Sequence, residues 1–284
     1  MRRVVGIEEW RRLAEDQRLA GRRVGLVPTM GALHAGHQSL VRAARANGDY
    51  VIMTIFVNPR QFNDAADLRA YPRTPESDRA LAESFGVDAL VEPTMAEMWP
   101  SYPEPTPTTV TVAGLGDVLE GAGRPGHFDG VASVVAKLAI VTGPSRAYFG
   151  EKDFQQLAVV RRMVLDLGLD VEVVDCAIVR DDDGLALSSR NVRLDTQARA
   201  RALSLSRALA LAAEHPGPAS ALREVMRATM AAADVVVGYA DVVDPATLEP
   251  LGDDATGRAR ALVAGVVDGV RLIDNREIEL RKGR

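Results

Sequence analysis

The sequence has a single cysteine and no long apolar run. Cys176 is the only cysteine among 284 residues, so no internal disulfide can form and a reducing, cytoplasmic location is predicted. Because Cys176 lies in the apolar run 171–179, it is expected to be a buried, inert thiol. No apolar run approaches the ~18 residues that a membrane span requires, so no membrane partner is expected. Glu8 and Glu9 precede any apolar segment, which argues against a secretory signal.

An excess of positive charge is also lacking. The 34 Lys and Arg residues stand against 39 Asp and Glu residues, which gives a net charge of −5 at pH 7. Proteins that bind a long phosphate backbone usually carry a basic excess, so nucleic acid is not an expected partner, although a local basic pocket stays open. The 47% hydrophobic and 26% charged residues exclude a disordered tail and a disulfide scaffold. At ~150 residues per domain, the length predicts one large domain or two smaller ones.

Short apolar runs alternate with helical patterns over residues 1–180. The runs are apolar on both faces, as in a buried parallel sheet, and lie at 23–28, 50–57, 87–92, 147–149 and 171–179. The helical patterns between them lie at 38–46, 77–85, 131–141 and 154–167. This alternation predicts a doubly wound parallel α/β domain. Ligands of such sheets bind at the carboxyl ends of the strands, so site residues are expected in the strand-to-helix loops.

The pattern changes beyond Arg180, and we place a domain boundary near 180–184. Two helical stretches come first, at 197–213 and 220–233. Three strand-like runs follow, at 235–243, 260–267 and 270–273. Helices followed by strands predict a smaller α+β domain over residues 181–284.

The most specific candidate site is the segment from Val27 to His37, where a strand ends and a helix begins. A helix N-terminus presents unpaired N–H groups and a partial positive charge, which favour phosphate. Gly36 has no Cβ and lets a nucleotide approach the backbone, and the imidazoles of His34 and His37 can donate to phosphate oxygens. The alternative, two surface histidines in a turn, is disfavoured because two of the four histidines of the chain lie here.

A second segment follows the run 147–149 and opens a helix. Lys152 could place a positive charge on a transferring phosphate, and the amide of Gln156 could bind a polar substrate. The alternative is an exposed helix start whose charges suit the helix dipole.

Two further loops allow either of two interpretations. Ser188, Ser189 and Arg190 could bind phosphates, but a serine-rich segment is equally typical of a helix cap. Asn58 and Gln61, at the end of the run 50–57, could bind a hydroxyl or carboxylate, or could form an ordinary Asn-Pro turn.

Several other features point away from common sites. A Gly-x-x-x-x-Gly-Lys-Ser/Thr motif is missing, and the segment 23–36 lacks Gly-x-Gly-x-x-Gly, which argues against a P-loop and a dinucleotide fingerprint. The triplet Asp181–Asp183 lacks the spacing of a calcium loop and is expected to be a solvated turn. His127 lies on a glycine-rich loop, where a role at the edge of a substrate site is expected. His215 precedes a proline and is expected at the surface.

Taken in order, the motifs resemble the pantothenate synthetase (pantoate–β-alanine ligase) family over essentially the whole chain. The residues that carry the resemblance are Pro28–Gly31 with His34-x-Gly36-His37, Phe56–Pro59, Tyr71–Thr74, Gly126–Phe128, Phe149–Gln156 and Leu187–Asn191. This family is part of the cytidylyltransferase-like, class I synthetase-like group. The resemblance implies a Rossmann-like domain that binds ATP and pantoate over 1–180, a C-terminal lid domain over 181–284, and a homodimer.

The resemblance also implies a reaction and its ligands. (R)-Pantoate and β-alanine would condense to pantothenate, a coenzyme A precursor, through pantoyl adenylate, with ATP giving pyrophosphate and AMP and with Mg²⁺ accompanying the ATP. Gln61 would contact pantoate and β-alanine, and Gln156 would contact pantoate. The implied ATP contacts are Met30, Gly31, Ala32, Leu33, His34, Ala35, Gly36, His37, Gly150, Glu151, Lys152, Asp153, Val179, Leu187, Ser188, Ser189 and Arg190.

His37 matches the position described in this family as a proton donor. The residues themselves favour a donor that stabilises phosphate charge, because pyrophosphate needs little protonation to leave, and His34 and Lys152 are the other catalytic candidates. Two departures from the family stand out. Arg60 occupies a position where many members carry Met, which predicts a more polar pocket edge. Ser77-Asp78 replaces an acidic pair of some relatives, so Asp78 is the one metal-ligand candidate and the ATP phosphates are expected to hold most of the Mg²⁺ coordination.

Three other functions stay open on the sequence. An adenylyl- or cytidylyltransferase would use the first half of the chain equally well, although Asn58, Gln61 and Gln156 favour the ligase. A tRNA-charging enzyme shares the His-x-Gly-His pattern, but this chain is short and acidic and shows no obvious anticodon module. A non-catalytic nucleotide sensor could keep the phosphate site, but it would need neither Lys152 nor the two glutamine amides.

Overall fold

The protein divides into two compact units in a computed structural model that describes residues 1–282. The first unit comprises Met1–Glu151 and Gln155–Ala177, and the second comprises Lys152–Phe154 and the chain from Ile178 onward. The division thus falls slightly before the predicted boundary near Arg180. It also assigns the short segment around Lys152 to the second unit. The roles predicted for 1–180 and 181–284 stay predictions.

The first unit is built on a six-stranded, fully parallel sheet. Its strands are β1 (Arg2–Val4), β2 (Val24–Thr29), β3 (Tyr50–Ile55), β4 (Ala89–Val91), β5 (Ser145–Gly150) and β6 (Val171–Cys176). They lie in the order β1-β4-β3-β2-β5-β6. The order reverses between β2 and β5, and ligands of doubly wound sheets bind at the carboxyl ends of the strands beside such a switch point. The α/β prediction is confirmed.

Helices connect these strands. They are α1 (Ile7–Leu19), α2 (Ala35–Ala46), α3 (Ala65–Ala70), α4 (Pro75–Phe85), α5 (Met95–Met98), α6 (Glu120–Gly123), α7 (His127–Thr142) and α8 (Phe154–Asp166). Short 3₁₀ turns cover Pro59–Gln61 and Glu151–Asp153. None of the helices within residues 1–282 combines the length and the apolarity that a membrane crossing needs.

Alternate residues of the strands fill two separate hydrophobic clusters. Leu26 and Ile52 belong to a cluster that includes residues of α1, α7 and α8, whereas Val27 and Met53 belong to one that includes residues of α2 and α4. All four side chains are fully buried. Burial of each such side chain contributes about 1.5–3 kcal/mol, so both faces of the sheet are driven under helices.

The second unit contains a three-stranded antiparallel sheet of β7 (Val236–Val243), β8 (Gly257–Val267) and β9 (Val270–Leu280). A two-residue turn, Asp268-Gly269, joins β8 to β9, as expected for an Asp-Gly hairpin. Apolar residues of α9 (Thr196–Glu214) and α10 (Ala219–Ala231) form one core with this sheet. The predicted α+β arrangement is confirmed, and β9 is longer than the predicted run 270–273.

Candidate active site

The loop between β2 and α2 has an unusual backbone. Gly31 has φ 80° and Ala32 has φ 49°, so two successive residues adopt left-handed conformations. A Cβ on Gly31 would lie 2.8 Å from Oδ2 of Asp78, and glycine is therefore required for this close approach. The left-handed conformation of Ala32 costs about 1–2 kcal/mol, which the surrounding contacts must offset.

Asp78, on α4, supplies those contacts. Its Oδ2 accepts from the backbone N–H of Ala32 at 3.0 Å and its Oδ1 accepts from that of Leu33 at 2.8 Å. The side chain is buried. Both carboxylate oxygens therefore accept N–H donors, and Asp78 anchors the loop that precedes His34. A role for Asp78 as a metal ligand stays a prediction.

His34 and His37 form a reciprocal cap at the start of α2. Nδ1 of His34 accepts from the N–H of Gly36 at 3.1 Å, and Nδ1 of His37 accepts from the N–H of His34 at 3.2 Å. The ring centroids lie 4.1 Å apart. A backbone N–H can only donate, so both Nδ1 atoms are unprotonated and each neutral ring carries its proton on Nε2. The two rings thus cap the positive end of a twelve-residue helix through their Nδ1 atoms.

The segment after β5 begins with Gly150 and Glu151 in the first unit and continues with Lys152 and Asp153 in the second. Nζ of Lys152 lies 3.6 Å from Oδ1 of Asp153, and the lysine side chain is 18% exposed. The carbonyl of Lys152 accepts from Nδ2 of Asn275 at 2.8 Å. The backbone of Lys152 is therefore anchored, while its ammonium group has only its sequence neighbour as a close ion-pair partner among the described residues.

Asn58 caps the 3₁₀ turn at 59–61, where its Oδ1 accepts from the N–H of Arg60 at 3.3 Å, and this supports the interpretation as an Asn-Pro turn. It is 1% exposed, and its Nδ2 donates to Oε1 of Gln61 at 3.1 Å and to the carbonyl of Gly130 at 3.0 Å. Its Oδ1 accepts from the indole N–H of Trp99 at 3.0 Å. With its amide used in this way, Asn58 fixes the orientation of Gln61.

Gln61 keeps an amide donor that the described residues do not use. Because its Oε1 faces Asn58, its Nε2 points the other way, and this nitrogen has no hydrogen-bond partner in residues 1–282. Nδ1 of His127 donates to the Gln61 carbonyl at 2.7 Å. His127 is buried, so the structure gives it a supporting role behind Gln61, not the expected one at the edge of the substrate site.

Gly130 is a residue that the motif analysis missed. A Cβ at this position of α7 would lie 2.2 Å from the carbonyl oxygen of Arg60, so the helix and the 3₁₀ turn at 59–61 can meet only at a glycine. Arg60 itself places its guanidinium carbon 4.7 Å from the centroid of the Trp99 ring, and its Nη2 donates to Thr109 at 2.8 Å. The predicted polar pocket edge stays untested.

Two adjacent glutamines at the start of α8 differ in their contacts. Gln155 is buried, donates to the carbonyls of Leu115 and Val118 and accepts from the N–H of Glu120. Gln156 is half-buried, and its amide has no hydrogen-bond partner in the part of the chain that the structure describes. Gln156 therefore retains the amide that the substrate prediction needs.

The loop that carries Leu187–Arg190 follows a short bridge between Arg180 and Ala186 in the second unit. The N–H of Leu187 donates to the carbonyl of Val179 at 3.0 Å, and the Ser188 hydroxyl accepts from the N–H of Arg190 at 3.2 Å. Ser188 therefore forms a local turn before the 3₁₀ helix Asn191–Arg193. The N-cap of that helix is Arg190, which makes no side-chain capping hydrogen bond, so the interpretation of the serines as a helix cap is wrong. A phosphate contact from this loop stays a prediction.

The acidic triplet and the cysteine follow the simpler expectations. Arg199 donates to Asp181 at 2.6 Å and to Asp183 at 2.8 Å, so two of the three acids are paired and the pKa of Asp183 is lowered by its hydrogen bond from Arg199.

Burial, with the nearby charges of Asp175 and Glu151, raises the pKa of Cys176 to about 11. The thiol is therefore protonated at neutral pH, as expected for an inert cysteine.

The strand order reverses between β2 and β5, and two imidazoles cap the helix that follows β2. This arrangement is typical of α/β enzymes that bind a phosphate-bearing ligand at the carboxyl ends of the strands. The family model described as pantoate-beta-alanine ligase matches residues 2–277. The chain is 53% identical over 273 residues to the pantothenate synthetase of Cereibacter sphaeroides, covering 95% of this chain and 96% of the relative.

Solved structures agree with this match. The crystal structure of pantothenate synthetase from Thermus thermophilus superimposes with a TM-score of 0.87 at 46% identity, over 97% of this chain and 99% of that one. The pantoate-beta-alanine ligase of Francisella tularensis, complexed with beta-gamma ATP and β-alanine, gives a TM-score of 0.80 at 30% identity and covers 97% of both chains. The chain belongs to the pantoate–β-alanine ligase family.

Proposed function

We propose that the chain performs the ATP-dependent condensation of pantoate with β-alanine in two half-reactions. In the first, a carboxylate oxygen of pantoate attacks the α-phosphorus of ATP, the bond to the bridging oxygen breaks, and pyrophosphate leaves. In the second, the amine of β-alanine attacks the acyl carbon of pantoyl adenylate, loses a proton, and displaces AMP. The condensation itself is the reaction of the family to which the chain belongs.

The observation that carries the proposal is the histidine cap of α2. The first half-reaction builds negative charge on phosphate oxygens, and preoriented donors stabilise such charge more than water does. With their Nδ1 atoms held by backbone N–H groups, His34 and His37 can direct Nε2–H at a phosphate without losing the cap. This favours a role for His37 as a hydrogen-bond donor over that of an obligatory proton carrier.

Lys152 would add a positive charge to the leaving phosphates. Its ammonium group is largely sheltered, so its attraction to phosphate is less screened than that of a surface lysine. The further ATP contacts implied by the family, at 30–33, 35–36, 150–151, 153, 179 and 187–190, belong to the same proposal.

Mg²⁺ would reach the site with the nucleotide. Residues 1–282 contain no group of three or more His, Cys, Asp or Glu side chains placed to hold a metal ion, and both oxygens of Asp78 face backbone donors. The described residues therefore supply no cluster of three such ligands, and no step is assigned to the metal. When bound, the ion would neutralise phosphate charge.

Gln61 and Gln156 are proposed to bind the organic substrates. Each has amide atoms that make no hydrogen bond within residues 1–282. Such atoms can bind the carboxylate and hydroxyl groups of pantoate. Gln61 would also contact β-alanine, because its free Nε2 can serve a carboxylate. Burial of Asn58 and His127 behind Gln61 holds this amide in place.

The test is release of pyrophosphate and AMP, measured with each substrate omitted in turn. Pyrophosphate should require pantoate but not β-alanine in a single turnover, and AMP should appear only when β-alanine is added. A nucleotide-linked product that accumulates whether or not the amine is present would favour an adenylyltransferase. Binding of ATP without pyrophosphate release in the presence of pantoate would favour a nucleotide sensor.

A homodimer is also proposed, through the edge of the sheet at β6. This strand pairs only with β5 in the described chain, so one side of its backbone is available for association. A mainly apolar groove beside it is lined by Arg161, Val164, Leu165, Gly168, Leu169, Val171 and Val173. An apolar surface at a free sheet edge is typical of a subunit contact. A cytoplasmic location stays a prediction.

A further inference from the structure

A chain of polar contacts in the second unit ends on the backbone of Lys152. Asn275, on β9, donates from Nδ2 to the Lys152 carbonyl at 2.8 Å, and its Oδ1 accepts from Nε of Arg260, on β8, at 2.8 Å. The guanidinium carbon of Arg260 lies 4.1 Å from the centroid of the Phe154 ring. The segment 152–154 is therefore held at both ends by the same pair of strands.

Burial makes these contacts specific. Asn275 is 2% exposed and Arg260 is 7% exposed, in strands that otherwise contribute mainly apolar side chains to the core of this unit. Buried polar groups are favourable only when their hydrogen bonds are made in good geometry. Apolar residues could fill the same space without requiring exact hydrogen-bond geometry. They would provide no donor to hold the Lys152 carbonyl in one direction.

Asp274, the residue before Asn275, holds the backbone of Asn275 in place. Asp274 is buried, accepts from Arg180 at 2.7 and 2.9 Å, and its Oδ1 also accepts from the backbone N–H of Asn275 at 2.8 Å. Arg180 also donates to the carbonyl of Gly184 at 3.1 Å. The dipeptide 274–275 thus joins the backbone of Lys152 to the hairpin that leads into Leu187–Arg190.

We propose that Asn275, oriented by Arg260, is a positioning residue for Lys152. The hydrogen bond holds the carbonyl of Lys152 and leaves its ammonium group for the phosphates, so it sets the direction from which the charge approaches. This inference rests on the proposed role of Lys152 in the first half-reaction. A misplacement of about 1 Å in such a group can lower the rate on the order of 100-fold.

A double-mutant cycle on Asn275 and Lys152 tests the inference. Asn275→Asp keeps the size of the side chain but replaces the donor by an oxygen that repels the Lys152 carbonyl. The measured quantity is the rate constant of pyrophosphate release in a single turnover with ATP and pantoate. Asn275→Asp should lower it about 10- to 100-fold, and Lys152→Ala should lower it at least as much. The double variant should be no slower than Lys152→Ala alone, because both act through the same ammonium group.

Three results would overturn the inference. If the two losses multiply in the double variant, Asn275 does not act through Lys152, whereas the role of Lys152 survives. If Lys152→Ala reacts at the wild-type rate, the role of Lys152 in the proposed function fails, and the inference fails with it. If Asn275→Asp lowers the fraction of active enzyme but leaves the rate constant of that fraction unchanged, the residue is merely structural.

Arg260→Lys serves as the second variant should Asn275→Asp not fold. It keeps the positive charge but loses the guanidinium that contacts both Asn275 and Phe154, so it should lower the same rate constant by a smaller factor. A wild-type rate for this variant would contradict the role given to Arg260. Glu277→Gln, at a 60% exposed side chain two residues along β9, is the matched control and should leave the rate unchanged.

Discussion

At the scale of single residues, the two nitrogen atoms of each active-site imidazole have separate duties. The Nδ1 atoms of His34 and His37 accept backbone N–H groups and cap α2, and the Nε2 atoms carry the protons. This separation allows structure and chemistry to be tested independently, because the asparagine side chain can replace Nδ1 as an acceptor but cannot reach as far as Nε2.

We therefore expect His37→Asn to keep the fold and lose the chemistry. Its Oδ1 can accept the N–H of His34, so the thermal midpoint of unfolding should stay close to that of the wild type. Loss of the Nε2–H donor should lower the rate of adenylate formation about 100- to 1,000-fold, as for other donors to a developing oxyanion. Pyrophosphate release in a single turnover measures this rate. His215→Asn, at an exposed histidine, is the control, and near-normal adenylate formation by His37→Asn would refute the assigned role.

Cys176 gives a prediction about pH. Its folded-state pKa of about 11 lies above the ordinary value of 9.0, so the fold favours the neutral thiol and loses stability from this group as the pH rises past 9. At pH 8 a thiol reagent such as 5,5′-dithiobis(2-nitrobenzoate) should not modify the native protein, and the protein unfolded in guanidinium should react with one equivalent. Full modification of the native protein at pH 8 on the timescale of the unfolded control would contradict this environment.

At the scale of elements, the loop after β2 depends on a helix that is distant in sequence. Gly31 and Ala32 adopt left-handed conformations, and Asp78 of α4 accepts the N–H groups of Ala32 and Leu33 in the same loop. The position of His34 therefore depends on a carboxylate that lies 46 and 45 residues further along the chain than the two N–H groups it accepts.

Asp78→Asn should weaken this anchor. The amide has only one acceptor oxygen, so one of the two N–H groups would face an NH₂ group, and the loss of a buried acceptor costs about 1–3 kcal/mol. We expect a lower free energy of unfolding by that amount and a raised KM for ATP, measured by urea denaturation and by steady-state kinetics. Glu76→Gln, at an exposed position of the same helix, should change neither. Wild-type values of both quantities for Asp78→Asn would show that the loop holds its conformation unaided.

At the scale of the whole molecule, the sequence was sufficient to predict the parallel sheet and the helices that cover it. It was not sufficient to predict the residues that hold the site side chains in place. Runs that are apolar on both faces, such as 50–57, identify buried parallel strands without any tertiary knowledge. β1 escaped prediction because three residues, two of them arginine, carry no such pattern. The buried residues of α1, Trp10, Leu13, Ala14 and Gln17, follow helical spacing, so the sequence does contain a signal for this helix.

The support residues could not be found in the same way, because their contacts join segments far apart in the chain. The Asn-Pro sequence indicates a turn at Asn58, but it does not show that the Asn58 amide also bonds to Trp99 and Gly130, while Nε2 of Gln61 has no partner among the described residues. The same holds for Gln155 and Gln156, which differ only in the face of α8 on which they lie. Such differences arise from the packed fold, and sequence patterns alone do not contain them.

The structure of a single chain does not contain the subunit interface, but the exposed edge at β6 allows the proposed dimer to be tested. Leu165 is 71% exposed and Leu167 is 49% exposed beside an edge strand whose backbone has one unpaired side, a combination that favours association in water. Sedimentation equilibrium should therefore give about twice the mass of 30.5 kDa. Leu165→Glu should shift the protein toward monomer by placing a charge in the apolar groove, whereas Val236→Glu, at a similarly exposed residue of the second unit, should not. A monomeric wild type at micromolar concentration would exclude the dimer, and a dimer unaffected by Leu165→Glu would place its interface elsewhere.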